Sequence, residues 1–91
     1  MPVDARRTQH LLALRDELLT QMEEADRELG RVRMQVERME SDLRIGLPEP
    51  AGYQDAKRHT MPVAEKRVVD LYRELLKLED KLNADRAATE V

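Results

Sequence analysis

The residues best suited to binding chemistry lie in one proline- and glycine-rich stretch, RIGLPEPAGYQDAKRHTMP, residues 44–62. Tyr53 offers both an apolar ring and a hydroxyl, and Lys57 and Arg58 add cationic hydrogen-bond donors. A connection between helices usually needs roughly two to eight residues, so the predicted tip at 46–60 is longer than a turn requires. We therefore predict a displayed surface for a protein partner, formed by Pro48, Glu49, Pro50, Tyr53, Asp55, Lys57, Arg58 and His59.

Two other interpretations of this stretch remain open. In the first interpretation, the stretch is a solvated connector, and Tyr53 covers the end of a helical hairpin. In the second, the residues from Tyr53 to His59 form an extra turn of helix.

Residues that could support catalysis or metal binding do not form a pattern. His10 and His59 lie far apart and lack the spacing of a metal site or a catalytic pair. The carboxylates are spread around the helices, and there is no cysteine, no glycine-rich phosphate loop and no nucleophile with a base beside it. The sequence therefore predicts no enzymatic activity, no metal and no cofactor, and an enzyme acting at a subunit interface is a lesser alternative.

The composition indicates a helical protein with a charged surface. Of the 91 residues 38% are charged, and there is no Phe, Trp or Cys to fill a compact globular core. A net charge of −3, with both signs interspersed, argues against direct nucleic-acid binding. No apolar run is long enough for a signal peptide or a membrane span, so we predict a cytoplasmic protein with no membrane partner.

Heptad spacing predicts two helices. In the first, residues 4–45, Asp4 can cap the start and Gly46 ends the helix. Its apolar side chains form two rows with a period of seven: Leu11, Leu18, Ala25, Val32, Met39; and Met22, Leu29, Val36, Leu43. In the second helix, residues 61–86, Pro62 suits the first turn, and the rows are Met61, Val68, Leu75, Leu82; and Ala64, Leu71, Leu78.

The fold class predicted from these rows is all-α, an antiparallel coiled-coil hairpin that assembles into a dimeric helical bundle. It forms a single domain, residues 4–88, followed by a frayed tail at 87–91. Aligning the two seams by charge pairs Ala25 with Leu82 and places Asp85 opposite Met22. Residues 5–21 then project beyond the second helix without a partner. Arg15 is expected to snorkel or to pair with a carboxylate across an oligomer.

Apolar surface beyond the seam predicts self-association. A helix that packs against one other helix needs only a narrow stripe of apolar side chains. A wider apolar stripe indicates that a second helix packs against it. Parallel pairing through the first helix is a rival arrangement, and folding back or fraying of that helix is the alternative to association. The predicted oligomer interface is formed by Leu11, Leu12, Leu14, Arg15, Leu18, Leu19, Val69, Tyr72 and Leu76.

Three features resemble known helical families. LPEP between two coiled-coil arms resembles the tip of the zinc-finger regulators that enter the RNA polymerase secondary channel and display acidic residues there. AGYQDAKR followed by LEDKLNA is similar to the helical domain of Gre-type transcript cleavage factors, and the overall plan resembles type III secretion needle subunits. Here Glu49 and Asp55 are the acids available, Gly52 stands where a second acid is expected near Glu49, and cysteines are absent. The shared plan therefore implies a geometry and assigns no family.

The functional prediction is a non-enzymatic coiled-coil module, such as a small adaptor, inhibitor or assembly factor. It self-associates and presents its tip to a protein partner. The alternative prediction is a coiled-coil finger that inserts its tip into a channel of a larger enzyme such as RNA polymerase.

Overall fold

Helix dominates the computed structural model, which describes the backbone of residues 5–90 and the side chains of residues 5–87. Helix α1 spans Ala5–Arg44 and the short helix α2 spans Tyr53–Asp55; a π-helical segment at Ala56–Thr60 precedes helix α3, Met61–Glu90. The described residues contain no strand, which confirms the predicted all-α class. Asp4, the predicted cap of the first helix, lies outside the described residues.

The second helical arm is longer than the sequence predicted. Ala56 and Met61, where α2, the π-helical segment and α3 meet, have right-handed helical backbone angles. Residues 53–90 therefore follow one continuous helical path, and the predicted non-helical tip at 46–60 is wrong from Tyr53 onward. The interpretation in which Tyr53 to His59 extend the helix is confirmed.

Pro62 explains why a π-helical segment lies within this path. Proline has no N–H, and in an α-helix its ring clashes with the carbonyl four residues earlier, here that of Arg58. Immediately before it, the N–H of Met61 donates to the carbonyl of Ala56, five residues back. This π-type hydrogen bond widens the helix locally, and such bulges commonly occur where a helix is kinked. Helix α3 begins at Met61 with Pro62 in its first turn, as predicted, although the π-helical segment at Ala56–Thr60 leads directly into it.

The C-terminal end of α1 agrees with the prediction, whereas that of α3 lies further along the chain than predicted. At the end of α1, the N–H of Leu47 donates to the carbonyl of Asp42 (3.0 Å) and that of Gly46 to Leu43 (3.1 Å). Gly46 has φ 86°, so this is a Schellman motif with glycine in the left-handed position, as its sequence predicted. Helix α3 continues to Glu90, four residues beyond its predicted end at residue 86, and Val91 lies outside the described residues. The fraying predicted for residues 87–91 stays a prediction.

The described chain divides into two compact units. The terminal unit comprises residues 5–23 of α1 and 70–90 of α3, and the turn unit comprises residues 24–69. In the terminal unit, the helices run antiparallel, since Arg7 pairs with Asp85 and Arg15 with Glu79. Its core is the cluster of Leu11, Leu78 and Leu82, with Leu18 packed against it. The turn unit has its own core cluster: Val32, Val36 and Tyr53, with Met39, Leu43, Ala56 and Met61 packed against it.

The predicted heptad seam is confirmed by burial. Apart from Tyr53, every buried apolar side chain among the described residues belongs to one of the predicted rows. These are Leu11, Ala25, Leu29, Val32, Val36, Ala64, Leu71, Leu75, Leu78 and Leu82.

The predicted alignment of the two seams is wrong by two heptads. Leu82 packs with Leu11, which precedes the predicted partner Ala25 by 25 − 11 = 14 residues, and Asp85 pairs with Arg7 instead of facing Met22. Because residues 53–60 extend the second helix, its far end pairs with the beginning of α1. Residues 5–21 therefore do not project without a partner.

Candidate functional site

The terminal unit keeps five large apolar side chains partly exposed after its own core has formed. Their exposed fractions are 38% for Leu12, 37% for Leu14, 38% for Leu19, 52% for Tyr72 and 44% for Leu76. All five belong to the predicted oligomer interface. The other four residues of that predicted interface are Leu11, Arg15, Leu18 and Val69. Isolated exposed leucines need no explanation, but several on one pair of helices form a candidate interaction surface.

Four of these side chains occupy the same side of the helix pair. With the seam at heptad positions a and d, positions e and b lie on one side and g and c on the other. Leu12, Leu19 and Tyr72 are at e, and Leu76 is at b. We call these four residues the apolar stripe. Val69, which belongs to the turn unit, is 46% exposed and lies three residues before Tyr72 on α3.

Three predicted interface residues are held by their own chain, namely Leu11, Leu18 and Arg15. Leu11 is only 7% exposed within the core cluster, and Leu18 packs against that cluster. Arg15 places its Nε 3.7 Å from Oε1 of Glu79. The carboxylate that Arg15 pairs with therefore lies in the same chain, although such a half-exposed ion pair contributes little to stability.

The opposite side of the terminal unit carries a shallow groove with an apolar floor. Leu14, Leu18 and Leu78 line the floor, at positions g and d. The rim is charged, with two acids and two bases: Glu17, Glu74, Lys77 and Lys81. We call this surface the charged groove.

Tyr53 is not displayed at the tip. Its ring is 7% exposed and packs with Val32 and Val36 in the core of the turn unit. Tyr53 is therefore not on a displayed surface, and its position agrees with the interpretation in which it covers the end of the hairpin. The hydroxyl is used locally, because Nζ of Lys57 donates to it at 3.2 Å.

Lys57 is also bound to its own chain. Its ammonium lies 3.9 Å from Oε2 of Glu40 and 5.5 Å from the centre of the Tyr53 ring. The hydrogen bond to the Tyr53 hydroxyl is the main cause that raises the pKa of Lys57 above its ordinary value of 10.5, and the charges of Tyr53 and Glu40 act in the same direction. Lys57 therefore remains a fixed cation over the physiological range.

The remaining predicted tip residues surround an ordered turn. Nε2 of Gln54 donates to Oε1 of Glu49 at 2.6 Å, and the N–H of Tyr53 donates to the carbonyl of Pro50 at 3.2 Å. Pro50 is half-buried, whereas the other predicted tip residues are exposed: Pro48, Glu49, Asp55, Arg58 and His59. Arg58 and His59 lie on the π-helical segment and not in the turn.

Sequence reasoning missed two apolar residues in this turn. Ile45 is 74% exposed and Leu47 is 49% exposed, on either side of Gly46. The available signal was their position, because both fall outside the heptad rows and flank the residue that ends α1. The turn therefore presents apolar side chains beside the predicted polar ones.

Two further kinds of site are absent from the described residues. These residues include no group of three or more His, Asp or Glu side chains arranged to hold a metal ion. No helix within residues 5–90 is long and apolar enough to cross a bilayer.

Comparison with known proteins gives no relative. None of the protein families, curated proteins or solved structures compared with this chain matches it.

Proposed function

We propose that this protein is a non-enzymatic helical-hairpin interaction module. It self-associates through the apolar stripe and presents the turn at residues 45–52 to a protein partner. The observation that carries the proposal is the apolar stripe itself, four large side chains on one side of a helix pair that remain 38–52% exposed.

The energetics favour a reversible assembly. Fully burying a leucine side chain stabilises by about 1.5–3 kcal/mol, so covering the exposed part of each stripe residue contributes roughly 1 kcal/mol. Two copies then contribute about 8 kcal/mol, which is comparable with the lower part of the estimated cost of association, about 4–15 kcal/mol. We therefore expect self-association that depends on protein concentration.

Stacking two such helix pairs is a common way to cover this kind of surface. In a four-helix bundle, each helix buries one stripe against its hairpin partner and a second against the neighbouring pair. The apolar stripe has contributions from both α1 and α3, as that arrangement requires. A second copy of the chain supplies an identical stripe, so the interface is self-complementary.

The test is sedimentation equilibrium of the wild type and of a variant carrying Leu19→Glu and Tyr72→Glu. We expect the wild type to gain mass with concentration and the variant to lose the stripe contact, because two carboxylates would be buried against apolar surface. Met34→Glu is the matched control: Met34 is an apolar side chain, 60% exposed, in the turn unit. A wild type that remains a folded monomer at high concentration would overturn the proposal.

The finger alternative depends on the turn. Two carboxylates are exposed in this region, Glu49 in the turn and Asp55 at the end of α2, and the turn also exposes Ile45 and Leu47. A finger regulator carrying Glu49→Ala and Asp55→Ala would remain folded and self-associate normally, but would no longer inhibit or activate the enzyme that it enters. An effect of these two substitutions on a purified RNA polymerase in transcription assays favours the finger; an unchanged transcription rate with wild-type protein excludes that target.

A further inference from the structure

We propose that two copies of this chain join with α1 of each copy packed against α3 of the other, so that Leu19 of one copy inserts between Tyr72 and Leu76 of the other. The inference rests on the self-association proposed above, and it adds the orientation in which the two apolar stripes meet. The contact occurs twice, because a two-fold axis repeats every contact of an isologous dimer.

Within one terminal unit, the ion pairs between the helices show which residues of α1 and α3 are level with each other. Arg15 pairs with Glu79 and the helices are antiparallel, so each step forward along α1 is level with a step backward along α3. Leu19 lies one helical turn further along α1, and it is therefore level with the interval between Tyr72 and Leu76. The ion pair nearer the chain ends also places Leu19 level with this interval.

Two directions of a two-fold axis bring the stripes of two terminal units face to face. An axis parallel to the helices places α1 over α3 of the other copy and keeps each residue at its own level. Leu19 then fills the interval between Tyr72 and Leu76 of the other copy, as a knob fills a hole. An axis perpendicular to the helices places α1 over α1 and α3 over α3, so that Leu19 meets Leu19 and Tyr72 meets Leu76. Both directions therefore cover these apolar side chains.

The charges along the border of the stripe distinguish the two directions. Asp16 and Glu23 lie at position b of α1, and Arg73 lies at position f of α3, at a level between them. With α1 over α3, Arg73 faces Glu23 and Asp16 of the other copy. With α1 over α1, Asp16 instead faces Glu23, and Arg73 faces Arg73. Like charges then meet on both helices, which disfavours the perpendicular axis.

One like-charge contact remains in the favoured direction. Asp80, on the same row of α3 as Arg73, lies near Asp16 of the other copy and offsets the attraction between Asp16 and Arg73. The pair of Arg73 with Glu23 is left, and the exposed Arg73 takes part in no ion pair of its own chain within residues 5–87. Exposed pairs of this kind are individually weak, so the charges select the direction and the apolar side chains supply the stability.

Cross-linking between chains tests the direction. The chain has no cysteine, so in an equimolar mixture of Ala13→Cys chains and Asp80→Cys chains each chain carries one thiol. These exposed positions are level and share one outer edge of the proposed dimer, so we expect a short bismaleimide to join the two kinds of chain. Thr20→Cys alone is the control. Its two thiols lie on opposite edges of the proposed dimer, but they lie side by side when α1 lies over α1.

Charge reversal of the full chain tests the contact of Arg73 with Glu23. Arg73→Glu places two carboxylates together in each half of the proposed dimer. Lys77→Glu is the matched control, because it changes the net charge equally but lies in the charged groove, on the other side of the terminal unit. We expect the dimer dissociation constant of Arg73→Glu to exceed that of Lys77→Glu about fivefold at low salt, and the difference to disappear at high salt. Sedimentation equilibrium measures both constants, and circular dichroism confirms that each variant is folded.

Two outcomes would overturn this direction and leave self-association through the stripe standing. One is a dimeric wild type whose Ala13→Cys and Asp80→Cys chains are not joined in the mixture, whether or not Thr20→Cys chains are joined to each other. The other is an equal dissociation constant for Arg73→Glu and Lys77→Glu at low salt, because the perpendicular axis exchanges one repulsion at Arg73 for another. A monomeric wild type would instead overturn the proposed function and the direction together.

Discussion

Tyr53 lies in the core and not on the displayed surface predicted for it. Its amphipathic side chain suggested a displayed binding residue, but its ring lies in the core with Val32 and Val36. Its hydroxyl accepts a hydrogen bond from Nζ of Lys57. A tyrosine beside a left-handed glycine, Gly52, begins the second helical arm here and closes one end of the core.

The contribution of Lys57 to stability has a definite dependence on pH. Since its pKa is raised in the folded protein, chiefly by the Tyr53 hydroxyl, the contribution is fully present below the ordinary value of 10.5. It is lost as the pH rises through the folded-state pKa. Folding therefore gains from this group throughout the neutral range and loses the gain only in strong alkali.

Tyr53→Phe is the substitution that isolates this effect. The ring and its packing are retained, so we expect the fold to persist, while the pKa of Lys57 should fall towards 10.5 because the hydrogen bond is absent. A titration of the Lys57 side chain followed by NMR measures the shift. In contrast, Tyr53→Ala should lower the free energy of unfolding by about 3 kcal/mol, because it leaves a cavity in the core. A Lys57 pKa unchanged in Tyr53→Phe would contradict the role assigned to the hydroxyl.

At the scale of helices, the sequence predicted the arms better than their junctions. The period of seven correctly identified the buried rows, because burial on a helix pair depends on that spacing alone. Gly46 correctly marked the end of α1. Pro62 lies in the first turn of α3, as predicted, but the prediction of a non-helical tip left out the helical residues from Tyr53 to Thr60 before it.

Two glycines make a matched pair for testing the helix ends. Gly46 has φ 86°, and a Cβ there would meet no atom within 4 Å, so Gly46→Ala should destabilise by about 1 kcal/mol through backbone strain alone. Gly30 lies inside α1, and a Cβ there also meets nothing within 4 Å. Gly30→Ala should therefore stabilise by up to about 1 kcal/mol, because alanine favours helix.

Thermal and urea denaturation of both glycine variants measures these opposite shifts. Since neither new methyl group meets a neighbour, the difference between the two variants reports backbone conformation and not packing. Equal effects of the two substitutions would mean that Gly46 is not required in the left-handed conformation.

At the scale of the whole chain, the alignment of the arms could not be derived from periodicity. A shift by 14 residues returns every seam residue to an equivalent heptad position, so the rows fit both alignments. Exposed charge pairs are worth too little to choose between them. The length of the turn decides the alignment of the two arms. The turn is short because Tyr53–Thr60 is helical. The stripe, in contrast, was largely predictable, because residues outside the seam stay outside it in either alignment.

Cross-linking distinguishes the two alignments directly. The chain has no cysteine, so Arg7→Cys with Asp85→Cys introduces the only two thiols. We expect a short bismaleimide to bridge them within one chain, because these positions form an ion pair of 3.5 Å. Gln21→Cys with Asp85→Cys is the control, since Gln21 lies 21 − 7 = 14 residues further along α1, about 21 Å.

Dilute protein keeps this reaction within single chains, and mass spectrometry identifies the bridged product. Efficient bridging of the control pair together with failure of the first pair would restore the alignment predicted from the sequence.

The pairing of the outermost residues also has a consequence for biosynthesis. Leu11 packs with Leu82, 82 − 11 = 71 residues later, whereas Val36 and Tyr53 are separated by 53 − 36 = 17. At about 5–20 residues per second, a ribosome needs roughly 4–14 s to proceed from Leu11 to Leu82. During that interval, the nascent leucines near the start of α1 have no intramolecular cover, which makes them the natural place for a chaperone to engage the emerging polypeptide.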